Sequence, residues 1–352
     1  MMKLDADLAK LVNTINKKMG NDTIVVGSDI REDVMSRVTT GSISLDVALG
    51  GGWPVNQWHE IIGEASNGKT AIALKTIAAN QKRDPSFTTV WVAAEQWVPG
   101  YAEMCGVDTS RLLIISTNIM EDAYEAVIQI TESKVVDCIV IDSLPALVPT
   151  SEDEKEMEES TVGRSALLTN KFFRKVGKAS KRSLTEPERP FIGLIINQWR
   201  SKIGVGPYAD PRTTPGGLGK DYAFFTRLEV RRDKWIEVGT GEEKRRVGQI
   251  IKFRVLKNKS APPSQTALID FYFANGGEIP AGELDFAKEI VAIGKLNKVI
   301  SRGGAYYSYG DRKWLGEDAM LASIREELDL KEALERDVLD SIKAGSKFAH
   351  EE

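Results

Sequence analysis

The chain has 352 residues, of which 42% are hydrophobic and 28% charged, and carries a formal net charge of −4 at neutral pH. That length buries a substantial core, enough for one large domain with smaller appendages, and its charge balance leaves any nucleic-acid binding to local clusters. No apolar run approaches the ~20 residues of a membrane span and the first residues lack a signal-peptide core, so the cytoplasm is the expected compartment and no membrane partner is expected.

Leu4, Leu8, Leu11, Val12, Ile15 and Met19 recur at helical spacing before Gly20-Asn21, which predicts an amphipathic helix over residues 4–19. A short β-like run follows at 23–26. So small an arm cannot bury its apolar stripe alone; it packs on its own core or on a neighbouring subunit, and periodicity does not choose between them. From residue 41 to about 275, apolar strands alternate with helices, the pattern of an α/β fold with a mainly parallel sheet. Strands are predicted at 57–62, 88–93, 112–115, 137–141, 191–196, 227–231, 249–256 and 268–273, and helices at 70–83, 119–133 and 161–181. Residues 200–219 are rich in Gly, Pro and Thr without periodicity, and a loop of that length in a compact domain is functional or disordered. Beyond Gly276-Gly277 a second unit begins, with helical patterns near 285–291 and 319–343 around Tyr306-Tyr307-Ser308-Tyr309. The predicted division is an arm at 1–36, a core at 37–276 and a small α+β domain at 277–352.

The first predicted core strand runs into Gly63-Glu64-Ala65-Ser66-Asn67-Gly68-Lys69-Thr70, and a helical pattern starts at Ala71. This is a phosphate-binding loop in its required context. The glycines let backbone N–H groups curl around anionic oxygens, Lys69 reaches the β- and γ-phosphates, the Thr70 hydroxyl ligates Mg²⁺, and the helix N-terminus favours negative charge. A nucleoside triphosphate is the first expected ligand. Such a site needs a carboxylate at a strand end, and the apolar run 135–141 delivers Asp142 there, suited to hold Mg²⁺ through water. Glu95 follows the strand at 88–93 and suits orienting the attacking water. With only Cys105 and Cys138, and only His59 and His350, a disulfide framework, a zinc site and histidine catalysis are all disfavoured.

Two stretches point to a polyanion. Between residues 164 and 185, Arg164, Lys171, Arg174, Lys175, Lys178, Lys181 and Arg182 occur with no acid, directly after the acidic stretch 152–159. The loop at 200–219 adds Arg200, Lys202 and Arg212 between small residues, a composition that tracks a sugar-phosphate chain.

In this order, Thr40-Gly41-Ser42-Ile43-Ser44-Leu45-Asp46, the phosphate loop, Ala94-Glu95, Val140-Ile141-Asp142-Ser143, Ile196-Asn197-Gln198-Trp199-Arg200, Thr213-Thr214-Pro215-Gly216-Gly217, Leu228-Glu229-Val230-Arg231-Arg232 and Val255-Leu256-Lys257-Asn258-Lys259 resemble the bacterial RecA recombinase family, phage-encoded members included. The resemblance covers nearly the whole chain. It implies a RecA-type P-loop NTPase core that forms a helical filament on single-stranded DNA, pairs it with homologous duplex and exchanges strands. ATP with Mg²⁺ would lie between adjacent protomers. Lys69 and Thr70 would take the phosphate and metal roles, Asp142 the metal-side carboxylate and Glu95 the catalytic one, with residues 63–71 cradling the nucleotide. Gln198 resembles the family's γ-phosphate sensor, Lys257 and Lys259 the pair that reaches the neighbour's phosphates, Tyr101 the aromatic stacked on adenine, and Tyr222 an interface aromatic. Val98 stands where the family carries a carboxylate that helps select adenine.

DNA would run along two loops, 154–164 and 201–217. Val162 and Ile203 match apolar side chains that wedge between bases; Gly163 lies near them, and Arg174, Arg200, Gly216 and Gly217 match phosphate contacts. Arg164, Ser201, Gly204 and Thr213 complete the implied set, and Tyr208 is the loop's aromatic. The resemblance assigns the N-terminal helix to docking on the next protomer and the C-terminal unit to gathering duplex. Two rivals share the phosphate loop: a ring-forming helicase or motor, and a nucleotide-switched DNA-bound scaffold without strand exchange. The arm and the lysine pair weigh against the first, and Glu95 against the second.

Overall fold

The computed structural model describes residues 5–19, 23–31, 36–153, 163–202 and 211–348. An eight-stranded sheet forms the centre: β1 (Gln57–Gly63), β2 (Thr89–Ala93), β3 (Leu112–Ile115), β4 (Cys138–Asp142), β5 (Ile192–Asn197), β6 (Thr226–Val238), β7 (Arg245–Asn258) and β8 (Thr266–Tyr272). Their spatial order is 8-7-6-1-5-4-2-3. The strands from β6 through β3 in that order run parallel, and β7 and β8 add an antiparallel edge.

Parallel strands covered on both faces read as unbroken apolar runs, and β4 and β5 are buried at every position. Alternate side chains serve two cores. Ile61, Trp91, Val140 and Leu194 face one, with the helix Lys69–Arg83; Val90, Ile139, Ile141 and Ile195 face the other, with helices Met120–Ser133 and Arg164–Ala179.

The predicted strands all form, β3 with the bounds expected of it and most others within a residue or two. The exceptions are β6 and β7, which are much longer than predicted. Only Thr226–Val230 of β6 pairs with β1; the rest runs on past Gly63 as a hairpin with the first part of β7. Its outer residues, such as Arg231, Lys234 and Arg246, are largely solvated, so apolar pattern did not mark them.

Three expectations are corrected. Residues 23–26 form no strand, because the Asn16 side chain takes both the N–H and the carbonyl of Ile24 at 2.8 Å each. The pattern at 319–343 is two helices, Glu317–Glu326 and Leu328–Phe348, separated where Glu327 turns extended (φ −104°, ψ 103°). The stretch 200–219 contains a small ribbon pairing Arg200–Ser201 with Arg212–Thr213, and a short helix begins at Gly219. The helix Ile43–Leu49 escaped prediction. The Ser42 hydroxyl caps it by accepting from the Leu45 N–H, and Gly50 ends it with φ 81°.

The N-terminal helix Ala6–Met19 buries none of its residues, and Leu11 is 54% exposed. The C-terminal unit has its own core, including Ile290, Ile300, Met320, Ile324, Leu334 and Val338, beside a three-stranded sheet with Tyr306–Tyr309 in the middle. Its helix Phe286–Leu296 docks on the segment before Ile43–Leu49. There the Glu289 carboxylate accepts from the Ser42 hydroxyl at 2.5 Å and the Ser44 N–H at 2.9 Å, wholly out of solvent. Lys75 of the phosphate-loop helix adds an ion pair to Glu283 at 2.7 Å.

Burial pushes the Glu289 carboxyl up from its ordinary 4.5 to about 7, against the two hydrogen bonds that favour its ionised form. The folded chain therefore holds a proton that the unfolded chain releases near pH 4.5. Stability from this group is complete below that value and is lost as pH rises through about 7. Glu289→Gln is expected to flatten the urea-denaturation profile between those limits, removing up to about 3 kcal/mol of pH-dependent loss. An unaltered profile would show that another group carries the dependence.

Candidate active site

The C-terminal edge of the parallel sheet assembles the predicted nucleotide residues. β1 ends at Gly63, whose backbone lies so close to β6 that an added Cβ would stand 2.3 Å from the Val230 carbonyl oxygen. The loop then curls through Ser66 (φ 59°) and Gly68 (φ 95°) into the helix Lys69–Arg83. No side chain caps that helix, so its first N–H groups stay free for an anion. Lys69 folds back, its Nζ donating to the Glu64 carbonyl at 2.7 Å. Burial holds its ammonium below the ordinary amine value, opposed by the charges of Asp142, Glu95 and Glu64.

β4 delivers Asp142 beside the loop, where the Thr70 hydroxyl donates to its carboxylate at 3.0 Å. Burial, then the neighbouring charge of Glu95, pushes the Asp142 carboxyl up to about 6, while Thr70 and Lys69 oppose the rise. Glu95 itself is exposed after β2 and is aimed by the Ser143 hydroxyl, which donates to it at 2.5 Å. Both residues are also tied through backbone: the Ala94 and Glu95 N–H groups donate to the Asp142 carbonyl.

A cavity of about 480 Å³ opens beside these groups. Ser66, Gly68, Lys69, Thr70, Ala71, Glu95 and Asp142 line one part, and Trp97, Val98, Tyr101, Trp235, Gln249 and Phe273 line another. Burial raises the Tyr101 hydroxyl well above the usual phenol range, so it stays neutral. Trp97, Trp235, Gln249 and Phe273 were not foreseen. Their contribution depends on the overhanging hairpin and on strand register, and the only sequence cue was the apolar spacing that continues in β6 past residue 231.

Gln198 follows β5 at the same edge, and its side-chain oxygen accepts from Arg200 at 3.1 Å. It stands next to the site but is not part of the cavity wall. Lys257 and Lys259 sit elsewhere. Lys257 pairs in register with Arg227, which pairs with Glu60, three residues before Gly63 on β1, so both lysines lie at the far end of the sheet. There Lys257 donates to the carbonyl of Asp221 and Lys259 to that of Tyr222, whose ring is 81% exposed.

The implied DNA residues fall into two neighbouring groups. Gly163 (φ 89°) starts the helix Arg164–Ala179, on which Arg164 and Arg174 are exposed. Gly216 and Gly217, also at positive φ, bring the second loop's return against this helix, and a Cβ at Gly217 would meet Ala166 at 3.0 Å. Arg200, Ser201 and Thr213 form the ribbon at the loop's base. Val162, Ile203, Gly204 and Tyr208 lie outside the described residues. Beneath the ribbon runs a buried network that sequence did not reveal. Glu60, fully buried, accepts from Arg227 at 2.6 Å and from Asn197 at 2.7 Å, and Asn197 also reaches the Pro215 carbonyl. Lys220, 1% exposed, bonds Thr214 and Asp221 beside it.

A phosphate loop on the central strand of a mainly parallel sheet, with a hydroxyl–carboxylate pair and a second carboxylate at its rim, defines a P-loop nucleoside triphosphatase. Residues 6–278 match the family model described as the RecA N-terminal domain. The chain is 34% identical over 349 residues to Protein RecA of Lactococcus lactis subsp. cremoris, covering 98% of this chain and 84% of that one. It is 35% identical over 348 residues to Protein RecA of Prochlorococcus marinus, covering 98% and 86%, and 35% identical over 342 residues to that of a Nostoc species, covering 96% and 90%. The chain belongs to the RecA family. It is a nucleotide- and DNA-binding protein of recombination and repair, a DNA-dependent ATPase and recombinase, and neither the ring motor nor the non-exchanging scaffold is favoured.

The contact at Gly63 gives a direct test. Gly63→Ala is expected to cost roughly 2–3 kcal/mol in urea denaturation and to weaken nucleotide binding, because its Cβ cannot coexist with β6. Gly100→Ala, with open space around it and a helical backbone, is expected to be neutral or slightly stabilising.

Proposed function

We propose that the cavity binds ATP with Mg²⁺ and hydrolyses it within a helical filament that this chain forms on single-stranded DNA, which it pairs with homologous duplex for strand exchange. The observation that carries this reading is the Thr70–Asp142 contact of 3.0 Å beside Lys69 and Glu95. The donors fit Mg²⁺: a hydroxyl and a carboxylate, both hard oxygen ligands, with no cluster of three or more His, Cys, Asp or Glu among the described residues. Such a pair leaves the other ligand positions to water and phosphate oxygens, the habit of this ion. Bound there, Mg²⁺ would offset the charge that gathers on the phosphates.

The protein groups do the rest. The N–H groups at the start of the helix Lys69–Arg83 hold the phosphates, and Lys69 exchanges the Glu64 carbonyl for them. Glu95, aimed by Ser143, orients the attacking water and takes its proton. Tyr101 stacks on the base. Gln198 senses the terminal phosphate and, through Arg200 and the Asn197–Pro215 contact, links it to the second DNA loop.

Lys257 and Lys259 are at the wrong end of the sheet to reach their own cavity, which supports their serving a neighbour's phosphates across a protomer interface. The unburied arm supports the same assembly: residues 1–36 would dock on the next protomer, 37–276 carry the core, and 277–352 gather duplex. Gly163, Arg164, Arg174, Arg200, Ser201, Thr213, Gly216 and Gly217, with Val162, Ile203 and Gly204, would follow the DNA. Among the described residues no helix is long and apolar enough to cross a membrane, and we place the protein in the cytoplasm.

Single-stranded DNA is expected to stimulate ATP hydrolysis severalfold, and Lys69→Ala to abolish both hydrolysis and nucleotide-driven filaments in electron micrographs. Equal hydrolysis with and without DNA would overturn the reading. Shared sites have a sharper signature. Glu95→Gln and the double variant Lys257→Ala/Lys259→Ala are each expected to be inactive, whereas an equal mixture should recover roughly a quarter of normal activity, as random neighbours rebuild complete sites. A mixture as inactive as its parts would place the lysines outside catalysis.

A further inference from the structure

Part of the nucleotide cavity is unused by the phosphate chemistry. Its wall there is one cross-strand row: Trp235 on β6, Gln249 on β7 and Phe271 on β8 stand opposite one another in register, all lining the cavity. Residues so opposed share a face of the sheet. Trp235 is fixed by two guanidinium groups, Arg232 at 3.9 Å from the ring centroid and Arg246 at 4.5 Å.

Within this aromatic wall Gln249 is the exception. It is 4% exposed, and its Oε1 is shut off from solvent with no hydrogen-bond partner. Its Nε2 is turned toward Gly68, where an added Cβ would stand 3.4 Å away. A buried carbonyl oxygen left unpaired is costly, and a site that keeps one is built to receive a donor. Ser66 and Gln96 also line the cavity but are exposed to water, and Thr70, Asp142 and Glu95 are committed to the phosphate end.

We propose that Gln249 reads the base, its carboxamide oxygen accepting a hydrogen bond from the 6-amino group of a purine held against Trp235 and Phe271. This rests on the nucleotide reading above and extends it to base selection. The aromatic wall stacks on any base and discriminates little. The amide does discriminate. A 6-amino group supplies the missing donor, as when Gln pairs with adenine in DNA, whereas a 6-oxo group sets one acceptor against another.

The test uses the full chain with single-stranded DNA and Mg²⁺, and compares kcat/KM for ATP, inosine triphosphate (oxygen at C6) and purine riboside triphosphate (hydrogen at C6). The native protein is expected to favour ATP over both by about tenfold, mainly through KM. Gln249→Met, of similar volume, should bring these ratios to within about twofold. Equal KM values for the three on the native protein, or preference for the 6-oxo base, would overturn the inference whether or not the variant folds. Undiminished discrimination in a folded Gln249→Met would overturn it as well. Should the native protein hydrolyse none of the three, the nucleotide reading itself falls, an outcome distinct from a loss of base preference alone.

Discussion

The architecture turns on the approach of two backbones at Gly63, where β1 gives way to the phosphate loop and β6 passes with no room for a side chain. That contact sets where the loop begins relative to the strand beside it. Because β6 continues beyond it, the same contact sets where the hairpin with Trp235 overhangs the cavity. Phosphate end and aromatic end are therefore positioned by one pair of strands, and neither rests on a free loop. β4 supplies the rim from the other side, carrying Asp142 to Thr70 and, through Ser143, aiming Glu95.

Behind this rim, charge is buried on a scale that only pairing permits. Glu60 is enclosed by Arg227, Asn197 and, at 3.6 Å, Lys220. Removing one partner from such a set costs more than the set contributes, since it strands a charge in a low-dielectric interior. The network has a geometric effect as well. It joins β1, β5 and β6 to Thr214 and Pro215, so the return of the second DNA segment is bonded to the strands that bear the nucleotide site. A shift of the chain near Gln198 cannot leave that segment unaffected.

Much of this was legible in the sequence, and the limits have physical causes. β4 and β5 were plain because strands covered on both faces must be apolar throughout. The phosphate loop was plain because its chemistry is carried by contiguous residues. By contrast Trp235 and Gln249 are fourteen residues apart and meet only through a hairpin register with shifts at Arg232/Lys234 and Ile236/Glu237, which no local pattern encodes. Residues 23–26 looked like a strand because β-propensity is a statement about packing, and here one asparagine outcompeted any ladder. The break at Glu327 was hidden because both helices keep apolar spacing across it. Glu289 read as an ordinary helix-surface acid, and only the docking of one unit on the other encloses it.

The N-terminal helix has fourteen residues and buries none of them. A peptide of that length is marginally helical in water by itself, since nucleating the first turn fixes several dihedrals for a single bond. In the filament proposed here, then, joining a neighbour and completing this segment are a single equilibrium: an isolated chain keeps a frayed end whose ordering is deferred until contact. Dilution would unwind that end first, well before the sheet loosens.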